Sequence, residues 1–236
     1  MQKLMSYMRS AMERYDMIAD GDKVAVGLSG GKDSVALLYA LAQMRRFYPH
    51  PFEVTAVSVD PQFGGVPTDY SPLQALCDRI DVPFIVKRTE IGPIIFDVRK
   101  EKNPCSLCAR MRRGALHDAV KAAGCNKLAL GHHMDDAVET FMMNLLNEAR
   151  IGCFSPVTYL SRKDLTMIRP MVFARESDCA RVVRREGLPI VKSRCPADGA
   201  TERESVKRLL TSLEKDYDDV RQKILGAMQR GNLNGF

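Results

Sequence analysis

Tryptophan is absent from this 236-residue chain. Any stacking on a flat ligand therefore falls to Phe, Tyr, His or Arg. No apolar run approaches the roughly 20 residues that cross a bilayer. Met1–Arg14 is charged and amphipathic, unlike a secretory leader. Together these absences predict a cytoplasmic protein with no membrane partner. Internal repeats and low-complexity tracts are also missing, which excludes solenoid and fibrous architectures. Cysteine is not scarce, at seven residues. In a chain without an export signal these do not predict a disulfide framework, and metal, cluster or catalytic roles remain. The length, with 45% hydrophobic and 27% charged residues, suits one substantial domain with additions. A net charge of +6 is a modest pointer to an anionic partner such as nucleic acid.

The most informative stretch is V-A-V-G-L-S-G-G-K-D-S, Val24–Ser34. Val24, Val26 and Leu28 form a β-type run that stops at polar and glycine residues. From Ser34 the period changes, and Leu37, Leu38, Leu41 and Met44 fall on one helical face. Strand, tight loop and helix N-terminus follow one another. Gly30 and Gly31 permit unusual dihedrals and close approach of a ligand. Backbone N–H groups and the helix dipole favour an anion there. Lys32 would be disfavoured by the dipole alone, so its presence suggests an anion between. Capping by Asp33 or Ser34 is expected as well, but explains neither glycine nor the lysine. The spacing does not match a Walker A loop. It resembles the S-G-G-x-D-S PP-loop of the ATP pyrophosphatases, which cleave ATP between the α- and β-phosphates. That resemblance makes Leu28, Ser29, Gly30, Gly31, Lys32, Asp33 and Ser34 candidate ATP-binding residues.

Helices are predicted at Lys3–Ile18, Pro72–Ile80 and Arg175–Glu186, with Glu202–Arg230 largely helical. Phe52–Val59, Val82–Lys87 and Lys127–Leu130 read as further strands, and Thr166–Arg169 as a fifth. This alternation predicts an α/β fold with a parallel five-stranded sheet in the order 3-2-1-4-5, flanked by N- and C-terminal helices. The expected division is an N-terminal helix (1–20), a nucleotide-binding domain (21–175) and a helical extension (176–236). Strands one and four then flank the topological switch point. Ser29–Ser34 would face the loop after strand four, Gly131-His132-His133-Met134-Asp135-Asp136, across one crevice. Asp60, at the end of strand two, is either near the nucleotide or a loop carboxylate. Asp135 and Asp136 read as helix caps with a further role toward the crevice, and one of His132 and His133 is expected to line it.

Cys105 and Cys108 form a C-x-x-C that shares one helical face. A helix N-terminus with Arg110, Arg112 and Arg113 nearby would favour thiolates. Cys77, Cys125, Cys153 and Cys179 lie among apolar residues and read as core. Cys195 sits in a polar Arg-Cys-Pro turn within Ser193–Ala200.

S-G-G-K-D-S, P-C-S-L-C-A-R-M-R-R-G, L-G-H-H-M-D-D-A-V-E-T, I-R-P and a late lone cysteine together resemble the tRNA 2-thiocytidine synthetase family, of PP-loop/adenine nucleotide hydrolase fold, from the first helix to the last. The resemblance implies a 4Fe–4S cluster on Cys105, Cys108 and Cys195, leaving one iron open. Relatives often carry a second C-x-x-C at the late site, where this chain has one cysteine. The resemblance further implies ATP with Mg²⁺ on Asp33, Asp135 or Asp136. Lys32 would stabilise phosphate charge, and Arg112 would orient the base or neutralise an adenylate. Asp60, Gly131, His132 and Asp136 would line the nucleotide. The substrate would be a cytidine at position 32 of a tRNA anticodon loop, with sulfur from a cysteine desulfurase or sulfide, and a homodimer is a possible assembly. Open alternatives are a lysidine-synthetase-like ligase and a zinc-stabilised, non-catalytic RNA-binding module.

Overall fold

The computed structural model describes residues 1–99, 104–195 and 202–236. Helix α1 (Gln2–Arg14) turns Leu4, Met8, Ala11 and Met12 inward. Strand β1 (Asp22–Gly27) follows, and α2 (Lys32–Met44) is buried on nearly every side. Then come β2 (Phe52–Asp60), α3 (Ser71–Arg79), β3 (Phe84–Arg88) and one helical turn, α4 (Ile91–Pro93), which runs into a wider π-type turn at Ile94–Val98. The long α5 (Pro104–Ala122) carries the C-x-x-C, and β4 (Lys127–Ala129) leads to α6 (Met134–Asn147). A hairpin of β5 (Val157–Leu160) and β6 (Leu165–Ile168) precedes α7 (Glu176–Arg185), α8 (Glu202–Leu213) and α9 (Val220–Arg230).

The five parallel strands stand in the expected sequence, but the sheet has a sixth member, giving β3-β2-β1-β4-β6-β5. The extra strand β5 pairs antiparallel with β6 at one edge. Strands β1 and β4 are neighbours, paired from Val24↔Lys127 to Val26↔Ala129. Side-chain alternation divides the sheet into two faces. Val24, Val26, Val54, Ala56, Ala129 and Ile168 pack toward α1, α2 and α7. Ala25, Val57, Leu128 and Met167 pack toward α5. Helices therefore cover both faces, and the loops at the strands' C-terminal ends share one rim.

The C-terminal helix does not run unbroken. The chain leaves helix between Leu213 and Val220, where Asp219 takes φ +53° and pairs with Arg175 at 2.8 Å. Val206 and Leu210 are buried, whereas Leu209 and Tyr217 face solvent. The predicted turn Ser193–Ala200 is described through Cys195, and residues 196–200 lie outside the described residues.

Candidate active site

The phosphate loop grows directly from β1. The Leu28 N–H donates to Val57 O at 2.8 Å, and Ser58 Oγ donates to Leu28 O. At Gly30 the chain turns with φ +87°. A Cβ there would lie 3.0 Å from both Cβ and O of Val191. Glycine is thus required by dihedral and by space. Gly31 is the N-cap of α2, and no side chain hydrogen-bonds to that helix end as a cap. The exposed dipole end faces the rim. Ser29 and Ser34 close the loop, with hydroxyls 3.0 Å apart, and Ser34 Oγ donates to Gly31 O at 2.9 Å.

Lys32 lies 2.9 Å from Asp33 Oδ2 and 2.8 Å from Glu176 Oε1. Burial alone would depress its pKa, but the two carboxylates raise it above the ordinary value. Glu176 is in turn 2.8 Å from Lys207 on α8. Its burial is outweighed by hydrogen bonds from Lys207 and Lys32, which bring its pKa down to about 2. Asp33 keeps one oxygen in reserve: Oδ1 is buried without a hydrogen-bond partner, with His133 Nε2 3.8 Å away.

The second loop lies against the first. A Cβ on Gly131 would come within 3.1 Å of Ser34 N and 3.2 Å of Asp33 C. His133 caps α6 by accepting from Asp136 N–H, while Asp136 Oδ2 accepts from His133 N–H at 3.0 Å. Asp136 Oδ1 also accepts from Arg203 at 3.2 Å. His132 turns toward the crevice instead. Its ring stacks on Phe154 at 5.0 Å, and Nδ1 accepts from Arg169 Nε at 3.2 Å. Burial, then the charge of Arg169, lowers its pKa to about 4.

Two carboxylates face elsewhere. Asp60 is fully buried and accepts from Gln62 N–H, Thr68 N–H and Thr68 Oγ1 at 3.1, 2.9 and 3.0 Å. It organises the loop after β2. Asp135 Oδ2 accepts from Glu176 N–H at 2.7 Å, capping α7, and Oδ1 sits 3.6 Å from Arg221.

Cys108 is buried among Phe63, Ile91 and Ile95, and Cys195 packs against the same group. Burial raises the Cys108 pKa; Arg112 pulls it down, while Cys195 and Cys105 push it up. Cys108 and Cys195 therefore share one apolar group while Cys105, three residues before Cys108, is exposed, and the expectation that arginines make Cys108 a thiolate gives way to its apolar surroundings. Among the described residues no three Cys, His, Asp or Glu side chains are disposed around a single metal ion. Cys77, Cys125 and Cys179 are buried as expected, with Cys153 half-buried. A cavity of about 210 Å³ lies beside the phosphate loop, lined by Ser29, Gly31, Val59, Phe63, Arg112 and Ser193.

The PP-loop domain family matches residues 3–213. The tRNA-cytidine(32) 2-sulfurtransferase of Syntrophotalea carbinolica is 37% identical, over 98% of this chain and 89% of its own length. The chain belongs to the tRNA-cytidine(32) 2-sulfurtransferase family. Proteins of that name from Geobacter sulfurreducens and Xanthomonas campestris pv. campestris are 34% and 38% identical, covering 98% and 87% of the chain and 90% and 69% of their own lengths. The fold matches the U34-tRNA thiolase NcsA from Methanococcus maripaludis, solved with its [4Fe-4S] cluster, with a TM-score of 0.76 and 24% identity over 95% of this chain and 77% of that one. The family is one of sulfurtransferases within the PP-loop ATP pyrophosphatases.

In this sulfurtransferase a larger cavity, about 670 Å³, opens beside the phosphate loop. Its rim contains Ser29, Arg112, His132, Phe154, Arg169 and Arg203. Arg169, the arginine of I-R-P, was legible only through the resemblance. Its guanidinium lies 4.9 Å from the Phe154 ring centre and donates to Ser155 O. Burial lowers its pKa to about 10. Phe154 and Arg203 carry no local sequence signal. Among the described residues no helix is long and apolar enough to cross a membrane.

Proposed function

We propose that this chain uses ATP to activate the C2 oxygen of cytidine 32 in a tRNA anticodon loop and replaces that oxygen with sulfur, giving 2-thiocytidine. The observation that carries the reading is the shared position of Ser29 and Arg112, which line both the large cavity and a smaller one bounded by Ser193 and Arg194, the residues before Cys195. A phosphate and a sulfur source can then reach one pyrimidine ring.

ATP would lay its phosphates on the Gly30–Gly31 turn, the α2 N-terminus and Lys32. The C2 oxygen attacks the α-phosphorus: an O–P bond forms, the bridge to the β-phosphate breaks, and pyrophosphate leaves. Oxygen, a poor leaving group on C2, thereby becomes part of AMP. Lys32 opposes the charge gathering on the departing phosphates. Of the three candidate aspartates, Asp33 is the one we assign to Mg²⁺, because Oδ1 has no competing partner while the oxygens of Asp135 and Asp136 are engaged. Magnesium needs only one or two carboxylates beside phosphate oxygens. Arg112 faces both cavities and would neutralise the adenylate. His132, held neutral, and the cationic Arg169 would wall the target base against Phe154.

Cys105, Cys108 and Cys195 are the residues that would hold a 4Fe–4S cluster: Cys108 and Cys195 share one apolar nest, and Cys105 lies exposed three residues before Cys108 on the same helix. Such a cluster would leave one iron without a protein ligand and would supply a site for sulfur from an external donor. Ligation of the lysidine type has no use for this trio. Mass spectrometry of tRNA nucleosides from cells lacking the protein tests the proposal. 2-Thiocytidine disappears and is restored by the native chain but not by Lys32→Ala; a normal 2-thiocytidine level in the deletion overturns it.

A further inference from the structure

The aromatic wall of the large cavity is completed by a turn 81 positions further along the chain. Phe154, which lines the cavity with His132 and Arg169, lies in residues 149–155, a stretch with neither helix nor strand. Side-chain bonds, not a backbone ladder, therefore fix its course. Asn144 of α6 donates to Gly152 O at 2.8 Å, and Arg169 donates to Ser155 O. Between these two anchors the Cys153 N–H donates to Asn234 Oδ1 at 2.8 Å. The Phe154 ring also meets Phe236, with centroids 6.2 Å apart and the planes tilted by 48°. Phe236 is only 3% exposed and belongs to the main core.

The turn that delivers these two residues is strained. After α9 the chain takes left-handed dihedrals at Asn232 (φ +47°), Asn234 (φ +53°) and Gly235 (φ +81°). Two of the three are not glycine, and such residues stay in that region only where their surroundings hold them. The bond to Cys153 and the burial of Phe236 do so here. Neither Asn234 nor Phe236 lines the cavity, so any effect on it passes through Phe154. We infer, on the basis of the proposed function, that Phe236 with Asn234 is a positioning residue, fixing the Phe154 ring as the wall against which the target pyrimidine is held. A base seated on that wall keeps water from the α-phosphorus. When the wall is loose, water competes. Its oxygen bonds to the α-phosphorus, the bridge to the β-phosphate breaks, and AMP, pyrophosphate and a proton form with no base activated. Affinity for nucleic acid comes largely from phosphate contacts, so a misplaced base shows in this coupling and not in tRNA binding.

The experiment counts AMP and 2-thiocytidine formed by the holoenzyme with ATP, tRNA and a sulfur donor. Phe236→Ala is expected to raise AMP per 2-thiocytidine about tenfold. Its ATP affinity and half-saturating tRNA concentration stay within about twofold of native. Loss of folded protein would lower both products together and leave their ratio alone. Phe236→Leu, which refills most of the space, is expected to restore most of the coupling. Asn234→Gly keeps the left-handed dihedral but removes the acceptor, and shifts the ratio the same way; Asn234→Asp keeps the acceptor and stays near native. In a Phe154→Ala background, itself uncoupled, Phe236→Ala adds nothing further, because both act through one ring. A native ratio in Phe236→Ala overturns the inference. So does a further rise in the double variant, or ATP binding weakened as much as thiolation. If Phe236→Ala does not fold, a native ratio in Asn234→Gly overturns it instead. Failure of the parent reading looks different: the native holoenzyme then makes no 2-thiocytidine, or Lys32→Ala makes it at the native rate.

Discussion

Replacing Glu176 by Gln tests how Lys32 is held before ATP arrives. The native carboxylate bridges Lys32 and Lys207, each at 2.8 Å. Its pKa falls from an ordinary 4.5 to about 2 in the folded chain. At about 1.36 kcal/mol per pKa unit, that difference sets an upper bound near 3.4 kcal/mol. The side chain is 28% exposed, so screening reduces the expected contribution to about 1–2 kcal/mol. For a chain of this length the melting temperature should drop by roughly 2–8 °C.

The sign with pH follows from the depressed value. The carboxylate's contribution is fully present above the unfolded pKa and fades as pH falls toward the folded one. About three-quarters of it should survive at pH 4, and under half at pH 3. Urea unfolding of native and Glu176→Gln chains at pH 7.5, 5 and 4 measures the gap. ATP binding should move the other way. The triphosphate must take Lys32 from Glu176, and breaking such a pair costs about 0.5–1 kcal/mol, so the variant should bind ATP two- to fivefold more tightly. Equal stability of the two chains at pH 7.5, or weaker ATP binding in the variant, would refute the reasoning.

Gly131→Ala puts a methyl group about 3.1 Å from the Ser34 backbone nitrogen, which cannot yield as a flexible side chain would. Thermal melting should show a loss of about 1–3 kcal/mol, with ATP affinity falling in parallel. Gly30→Ala meets both the left-handed dihedral and Val191 at 3.0 Å, and should cost at least about 1–2 kcal/mol by urea unfolding. Cys105→Ser should remove brown colour and iron from anaerobically prepared protein while ATP titration stays near native; undiminished iron would end the three-thiol assignment.

The strand–loop–helix from Val24 to Met44 was legible because three signals agree: alternation, paired glycines and a switch to helical spacing. The opposition of the two loops followed from parallel topology, and the contact of Gly131 with Ser34 bears it out. Strand β5 was not legible. Four half-exposed residues at a sheet edge, Val157–Leu160, look like loop until their partner is known. Asp60 shows a different limit, since a carboxylate ending a parallel strand reads alike whether it faces a ligand or, as here, takes backbone N–H groups from its own loop. The partner of Asp135 is the Glu176 N–H, 41 positions away, and no local pattern announces it.

The C-terminal third does more for the site than carry a thiol. Val191 N–H donates to Gly30 O at 3.0 Å, so the strand of chain leading into Cys195 is fastened to the phosphate turn itself. Beyond the thiol, α8 is tied back by Arg203 to Asp136 and Glu139, at 3.2 Å each, and by Lys207 to Glu176. Arg221 of α9 closes the set, lying 3.0 Å from Glu214 and 3.6 Å from Asp135. Glu139 illustrates what these pairs are for. Burial raises its pKa despite Arg203 and Arg221, so the arrangement is an expensive route to stability. Apolar packing would hold two helices together at lower cost, but it would not specify distance as hydrogen-bonded charges do. Each anchor ends on the phosphate turn, on α6 behind the second loop or at the α7 N-terminus. The position of the third thiol and the position of Lys32 are consequently set by one connected group of contacts, as a reaction joining phosphate chemistry to sulfur chemistry requires.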